Sequence, residues 1–362
     1  MFKQLKRLFA PRQPAAVHDE LLVNAYCTLN EVPPLPFPHR PHGRRDSGDP
    51  ALRNELGGFL HYLQSLGGGK MSSTRYHVMR HIQRTRHQLS FGVARTDAAA
   101  IAALADWALA ANALLQLPDG QPRDPRLKVL VSSKDGAAEA GAAVPYPAAA
   151  AQRKAATEAL LSARGLQSSP HLPPLVAEPE LRLRGIPETG RRAVALLAVA
   201  LRAESLASGN PLPAEELERK LPGLGQVLSP MEAAFMAAGQ PDAAELARFS
   251  WRHESLKTLE WALGLGDLPW PDQPCDAALT ARTLLERLED VAGDKLTLRP
   301  PAEILDALDL HYRLHWLVRQ ARKEGKPLPE DVDPGVVSER HHALNWLTCF
   351  EDAGWDDTDT PT

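Results

Sequence analysis

Apolar residues follow two different periods in this chain, and the change from one to the other lies near residue 150. Before it, Leu21 to Leu29 and Gln88 to Val93 alternate apolar and polar side chains, which is typical of half-buried strands. After it, apolar residues recur every three to four positions, which is typical of amphipathic helices. The sequence therefore predicts the α+β class: an N-terminal unit with a sheet, followed by an all-α helical domain.

The N-terminal pattern predicts four strands and two helices, with Thr96 as the N-cap of the second helix. Arg84-Thr85-Arg86 is the expected turn of a hairpin between the second and third strands. The resulting order, β-α-β-β-α-β, is that of a ferredoxin-like, split βαβ sandwich. The predicted elements are strand 21–29, helix 50–66, strands 75–83 and 88–93, helix 97–114 and strand 127–131.

Proline and glycine mark the expected domain boundaries. The proline-rich segment 32–41 is predicted to be extended, an Ala-rich stretch covers 137–151, and four prolines exclude helix from most of 168–187. We expect an N-terminal α+β domain at 1–145, a linker with the first helix at 146–186 and the α-helical domain at 187–362. The helices predicted after the Ala-rich stretch are 151–164, 187–207, 213–220, 229–238, 241–264, 276–291, 301–324 and 334–352.

The net charge of −4 is unevenly distributed. Residues 1–95 contain 14 Lys and Arg against 6 Asp and Glu, whereas the remainder contains 27 against 39. A basic front and an acidic back either complement each other or serve different partners.

Cysteine usage and the first residues predict a cytoplasmic protein. Cys27, Cys275 and Cys349 are far apart with no CxxC spacing, so we expect three free thiols in a reducing compartment. Residues 1–11 are basic and amphipathic and predict a short surface helix, because Lys3, Lys6 and Arg7 interrupt the apolar run that an export signal needs. No apolar run reaches the roughly 18 residues of a membrane span.

Charged and polar residues on apolar helix faces are the candidate site. Asp309 and Arg313 have the i,i+4 spacing of a pair within one helix. Charges on apolar faces have to be paired, and three interpretations stay open: an ion network that fixes the helices, a binding site for a ligand or partner, or catalysis with Glu254 or Asp309 as the base. Arginine cannot act as a base near neutral pH, and the catalytic residues stay unknown. The candidate residues are Trp251, Arg252, Glu254, Asp309, Arg313, Glu339, Arg340, Asn345 and Trp346.

Several strings in the helical half carry a resemblance to a known family. They are Phe249-Ser250-Trp251-Arg252-His253-Glu254, residues 260–264 (EWALG), residues 306–316, residues 336–347 (VVSERHHALNWL) and residues 355–360 (WDDTDT). Over about residues 151–362 the chain resembles the mainly bacterial family DUF4272, a domain of unknown function. The resemblance implies a helical domain against which the acid-rich segment around Trp355 docks, and it carries over no reaction.

Metal and cofactor sites are not favoured. His311 and His315 are one helical turn apart, a spacing that suits zinc, but no third ligand accompanies them. Gly67-Gly68-Gly69-Lys70 follows a predicted helix and lacks the frame of a phosphate-binding loop, so it predicts a flexible turn. The sequence contains no GxSxG nucleophile motif. We therefore expect no metal and no cofactor.

The basic face of the predicted hairpin favours an acidic protein partner over nucleic acid. Sheets that bind RNA stack bases on aromatic side chains, and here Tyr76 and Phe91 fall on the opposite face. The basic residues concerned are Arg75, His77, His81, Arg84 and Arg86.

The features above favour a non-catalytic protein-interaction module of an immunity or regulatory type, with another protein as its partner. The alternatives are a domain that senses a small ligand and an enzyme that uses the Arg/Asp/Glu cluster. A closed and satisfied ion network favours the first, whereas a solvent-accessible pocket at those residues favours the others. The oligomeric state stays open.

Overall fold

The structure is a computed structural model that describes residues 20–66, 71–293 and 295–362. The chain divides into two compact units, one up to residue 147 and one over 148–362. The helix predicted for residues 1–11 and the glycine-rich part of the turn at 67–70 lie outside the described residues.

The N-terminal unit is built on a five-stranded antiparallel sheet with strand order β2-β3-β1-β4-β5. One face of the sheet packs on α3 through Val23 and Phe91, and the other packs on α1 and α2 through Tyr26 and Leu114. The elements are β1 Glu20–Cys27, β2 Arg40–Asp46, α1 Pro50–Ser65, α2 Ser73–Gln83, β3 His87–Ala94, α3 Ala98–Ala110, β4 Ala113–Gln116 and β5 Pro122–Arg123.

The strand predicted over 75–83 is wrong, because these residues form α2. Ser72 caps this helix by accepting a hydrogen bond from the Arg75 backbone N at 3.2 Å. The alternation was misleading because Arg75 and His81, taken as the exposed face of a strand, are buried. The basic hairpin face considered for nucleic acid therefore does not exist.

Other N-terminal predictions also need correction. The first predicted helix and the strands at 21–29 and 88–93 are confirmed, but β2 was missed because its side chains are almost all polar and exposed. Residues 127–131 form only a single bridge, between Val129 and Arg123, and Asp97 rather than Thr96 caps α3. The described order is β-β-α-α-β-α-β-β, so the split βαβ arrangement is not confirmed.

The second unit is helical, and all described strands lie before residue 124, as the change of period predicted. The predicted helix 241–264 is two helices separated at Trp251, the predicted helix 276–291 is also two, and the last predicted helix ends at Leu347. The helices are α4 Ala148–Ala163, α5 Ile186–Ala207, α6 Ala214–Lys220, α7 Pro230–Ala237, α8 Ala243–Ser250, α9 Arg252–Ala262, α10 Ala277–Leu285, α11 Leu288–Ala292, α12 Pro301–Glu324 and α13 Pro334–Leu347.

The core of the helical unit forms where α5, α9, α12 and α13 meet. Leu196, Leu256, Leu305 and Leu344 are buried there, one from each helix. Gly335 lets α13 approach the Trp251 indole, because a Cβ at this position would lie only 2.5 Å from the ring. Among the described residues, no helix is long and apolar enough to cross a membrane.

Candidate functional site

Arg340 and Glu254 form a buried ion pair between α13 and α9. The Arg340 Nε donates to Glu254 Oε2 at 2.9 Å, and both side chains are at most 2% exposed. Arg340 also donates to the Pro269 carbonyl at 2.6 Å, and the other Glu254 oxygen accepts from the Cys275 backbone N. The pair therefore holds two points of the loop that joins α9 to α10.

Arg313 and Asp309 form a second buried pair within α12. The Arg313 Nε and one terminal nitrogen donate to the two Asp309 oxygens, both at 2.9 Å. Arg313 also reaches the Pro173 carbonyl at 3.3 Å and lies 3.5 Å from Glu158 on α4. This pair, predicted from its i,i+4 spacing, fastens α12 to the proline-rich segment that precedes α5.

Arg252 and Glu339 form a third pair, which is less deeply buried. The Arg252 guanidinium donates to Glu339 Oε2 at 2.9 Å, and the Ser255 hydroxyl donates to the same oxygen at 2.7 Å. All six charged residues among the candidates thus take part in arginine–carboxylate pairs. The carboxylate partner of Arg340 is Glu254, and that of Arg252 is Glu339.

The other candidate residues hold the segment that follows α13. The Asn345 amide donates to the Asp359 carbonyl at 2.8 Å, and the Trp346 ring meets the Trp355 ring edge to face with centroids 5.4 Å apart. Trp355 is 5% exposed, so the predicted docking of this segment is confirmed. The Arg252 guanidinium lies 5.7 Å from the centre of the Trp355 ring.

Arg192 and Glu232 are a fourth buried pair, which the sequence prediction missed. Arg192 on α5 is bonded to Glu232 at the start of α7, and its guanidinium lies 5.0 Å from the centre of the Trp355 ring. Glu232 lies in the first turn of α7, where its side chain accepts a hydrogen bond from the Ser229 backbone N at 2.9 Å. The missed signal was Arg192 on the apolar face of α5, which is the pattern that identified the other arginines.

Four histidines on α12 and α13 lie near this network in neutral form. Burial, and after it the charge of nearby arginines, lowers the pKa of His311 to about 3 and those of His315 and His342 to about 4. The pKa of His341 is also lowered, first by burial and then by the neighbouring histidines. The Nδ1 atoms of His315 and His341 are 3.0 Å apart, so one donates and the other accepts.

No metal site follows from these histidines. The His311 Nδ1 lies 2.7 Å from the Ala307 carbonyl of its own helix, whereas His315 faces His341. Across the part of the chain that the structure describes, no group of three or more His, Cys, Asp and Glu side chains has a metal-binding arrangement.

Glu260 is a carboxyl group near the network whose ionisation is opposed by burial. It is fully buried on α9. Burial raises its pKa to about 8. A neutral carboxyl group can act as an acid, but an acid has to reach its substrate, and this side chain is 0% exposed.

The three cysteines are free, and we expect Cys27, which is buried, and Cys275, which is partly buried, to be unreactive in the folded protein. Burial raises the pKa values of Cys27 and Cys275 to about 12, and the thiolate is the form that attacks an alkylating reagent. The test treats the folded protein and the urea-unfolded protein with iodoacetamide at pH 8 for the same time. Mass spectrometry should show all three cysteines modified in the unfolded sample, and neither Cys27 nor Cys275 modified in the folded one. Rapid native alkylation of Cys27 would contradict this burial.

These contacts define the class of protein in the second unit: a helical domain held by a buried arginine–carboxylate network and closed by a tryptophan-bearing segment. The chain belongs to the family described as domain of unknown function (DUF4272), whose model matches residues 153–358. This confirms the resemblance seen in the sequence. A search of curated proteins and a search of solved structures each return no significant match.

Proposed function

We propose that this chain is a non-catalytic protein-interaction module of an immunity or regulatory type, working in the bacterial cytoplasm. The observation that carries the proposal is the state of the carboxylates in the network. Glu254, Asp309 and Glu339 are each bound to an arginine side chain. A general base has to accept a proton from a bound substrate, and these oxygens are already engaged. The network therefore supports a role as scaffold rather than as catalyst.

The surface that best fits a partner is the outer side of β2, which we call the basic edge and define by Arg40, His42 and Arg44. β2 is the last strand of the sheet on its side, so its outer backbone groups pair with no described strand. Arg40 and Arg44 are exposed, and neither forms an ion pair with any described residue. The exposed edge suits an added strand, and the arginines favour an acidic one.

Self-association through this edge is disfavoured. Pro41 lacks a backbone N–H, and the pairing with β3 shifts register between Pro41 and Gly43. Prolines, bulges and charges on end strands discourage pairing between copies of one chain. The charges of Arg40 and Arg44 distinguish the two cases, because a second basic edge is repelled whereas an extended acidic segment of a different protein is attracted.

Photocrosslinking in cells tests the proposal. Benzoylphenylalanine placed at position 42 should give a discrete adduct with one other protein, and the same group at the exposed Leu109 on α3 should not. Changing Arg40 and Arg44 to glutamate should remove the adduct, whereas Arg126→Glu, an exposed site in the same unit, should leave it. Failure to form any adduct at positions 40, 42 and 44 would overturn this interaction surface.

A second candidate function, sensing of a small ligand, is favoured by one specific observation. A groove of about 440 Å³ lies between α4, α12 and the loop after α9. Pro269 in that loop lines the groove, and its carbonyl accepts a hydrogen bond from Arg340 at 2.6 Å. The buried network therefore positions part of the groove wall, although none of the network's charged candidate residues lines the groove.

A further inference from the structure

The groove beside α12 has an aromatic wall that is fixed in place. Trp261 and Trp270 both line it. The Trp270 indole N donates to the Asp331 carbonyl at 2.6 Å, and the Arg164 guanidinium stacks 3.9 Å from the ring centre. Arg299 lies 5.2 Å from the Trp261 ring centre. Two anchored indole rings provide a preformed surface for a flat ligand.

One hydrogen-bond donor of a residue that lines the groove is unused. Arg153 lines the groove and is 8% exposed, with its Nε bonded to Asp306 at 2.7 Å and one terminal nitrogen bonded to Glu178 at 2.6 Å. Its other terminal nitrogen, Nη1, is buried without a partner. Because two carboxylates already offset the charge of Arg153, this nitrogen offers a hydrogen bond without a net positive field.

One acceptor in the same lining is also unused. His311 lines the groove and is 2% exposed. Its Nδ1 donates to the Ala307 carbonyl at 2.7 Å, which leaves Nε2 as the acceptor of a neutral ring. No described group bonds this Nε2. Buried polar atoms are nearly always paired, so an unpaired donor and an unpaired acceptor in one groove point to a ligand that pairs both.

The rim of the groove carries two exposed carboxylates. Glu303 and Asp306 line it with side chains that are 48% and 66% exposed. Each carboxylate bonds one arginine through a single oxygen, so the second oxygen of each remains available. Phosphate or carboxylate groups on a ligand would meet like charge here.

We propose that this groove binds an uncharged planar heterocycle that presents a hydrogen-bond acceptor and a donor along one edge, as the base of a nucleoside does. The ring lies against Trp261 and Trp270, the ligand's acceptor receives a hydrogen bond from Arg153, and its donor gives one to His311. Small movements of these two side chains expose the unpaired atoms to the ligand. The inference rests on the ligand-sensing function and not on the basic edge. Crosslinking at position 42 tests the basic edge and ligand titration tests the groove, so either can fail without the other.

Calorimetric titration of the full chain tests the proposal with adenosine, guanosine, cytidine, uridine and their free bases as probes. At least one should bind saturably below 1 mM, and its 5′-monophosphate should bind about tenfold more weakly or not at all. Trp270→Leu should weaken binding about tenfold or more, since stacking on an aromatic side chain contributes that much. His311→Phe, which keeps a flat ring without the acceptor, should weaken binding similarly, whereas Leu279→Ala on exposed α10 should not change it.

Three outcomes would overturn the proposal. The first is that none of the eight probes binds below 1 mM while the full chain is folded by circular dichroism. The second is binding that survives both Trp270→Leu and His311→Phe. The third is equal or tighter binding of the monophosphates, which would place the ligand away from Glu303 and Asp306. Because each variant is checked for its unfolding temperature, loss of binding is separable from loss of fold.

Discussion

Replacing Arg340 with alanine is expected to lower the free energy of unfolding of the helical unit by about 3–5 kcal/mol, because it leaves a buried charge without its counterion. Glu254 is 2% exposed, and after the change it would keep its contact with Cys275 but no arginine partner. The Pro269 carbonyl would lose its donor as well. Urea denaturation followed by circular dichroism at pH 7 measures the effect.

Two further variants make the Arg340 result specific. Arg322→Ala, an exposed arginine near the end of α12, should change the free energy of unfolding by less than about 0.5 kcal/mol. The double change Arg340→Met with Glu254→Leu removes both charges and should recover most of the loss, since apolar pairs of similar volume replace buried ion pairs well. An Arg340→Ala protein as stable as the parent would show that the pair does not support the fold.

The helical unit is expected to lose stability steeply below pH 6.5. The pKa values of His311, His315 and His342 are lowered to about 3, 4 and 4, so between pH 6.5 and about 4 the unfolded chain binds protons that the folded chain does not. Each such histidine removes about 1.4 kcal/mol of stability per pH unit in that window. The loss begins at the unfolded pKa and continues down to the folded one.

Glu260 acts in the opposite direction, because its pKa is raised to about 8. Between its unfolded pKa and about pH 8, the folded chain keeps this carboxyl group protonated while the unfolded chain does not. Lowering the pH through that range therefore raises the free energy of unfolding by about 1.4 kcal/mol per pH unit. Glu260 offsets the effect of about one histidine, so the effect of at least two histidines remains. The free energy of unfolding at pH 4.5 is therefore expected to be lower than at pH 6.5 by about 5 kcal/mol or more. A typical domain has a stability of about 5–15 kcal/mol.

Stability measured by urea denaturation at several pH values tests this expectation. In His315→Gln, the slope of unfolding free energy against pH between 4.5 and 6 should fall by about 1.4 kcal/mol per pH unit. The exposed His171→Gln provides the matched control and should keep the parent slope. A helical unit with the same stability at pH 7 and pH 4.5 would contradict the buried, neutral state of these histidines.

Local signals predicted the helical unit well because its helices begin and end at residues with strong preferences. Ser229 followed by Pro230 and Glu232 forms a capping box at the start of α7, and Gly325 ends α12 in a left-handed conformation. The N-terminal unit was harder. β2 has the sequence RPHGRRD, and no apolar alternation marks such a strand, because it lies at the side of the sheet and pairs through its backbone alone.

The ion pairs show what spacing along one helix can and cannot predict. Asp309 and Arg313 were paired correctly, because an i,i+4 spacing fixes the partner within a helix. The partners of Arg340 and Arg252 depend on how α13 crosses α9, and that crossing depends on the packing of Trp251 against Gly335. The groove was not predicted, because Arg153, Trp270 and His311 come from three separate segments that only tertiary packing brings together.

The burial of Arg340 against Glu254 also constrains how such a sequence can change over generations. A lineage that exchanges this pair for apolar residues has to pass through a chain with one buried charge, and that intermediate is less stable by about the full cost of an unpaired ion. The two positions are therefore expected to change together or not at all. Each side chain also holds the backbone of the loop after α9, at Pro269 and Cys275. Natural selection on that loop thus acts on two residues 86 positions apart.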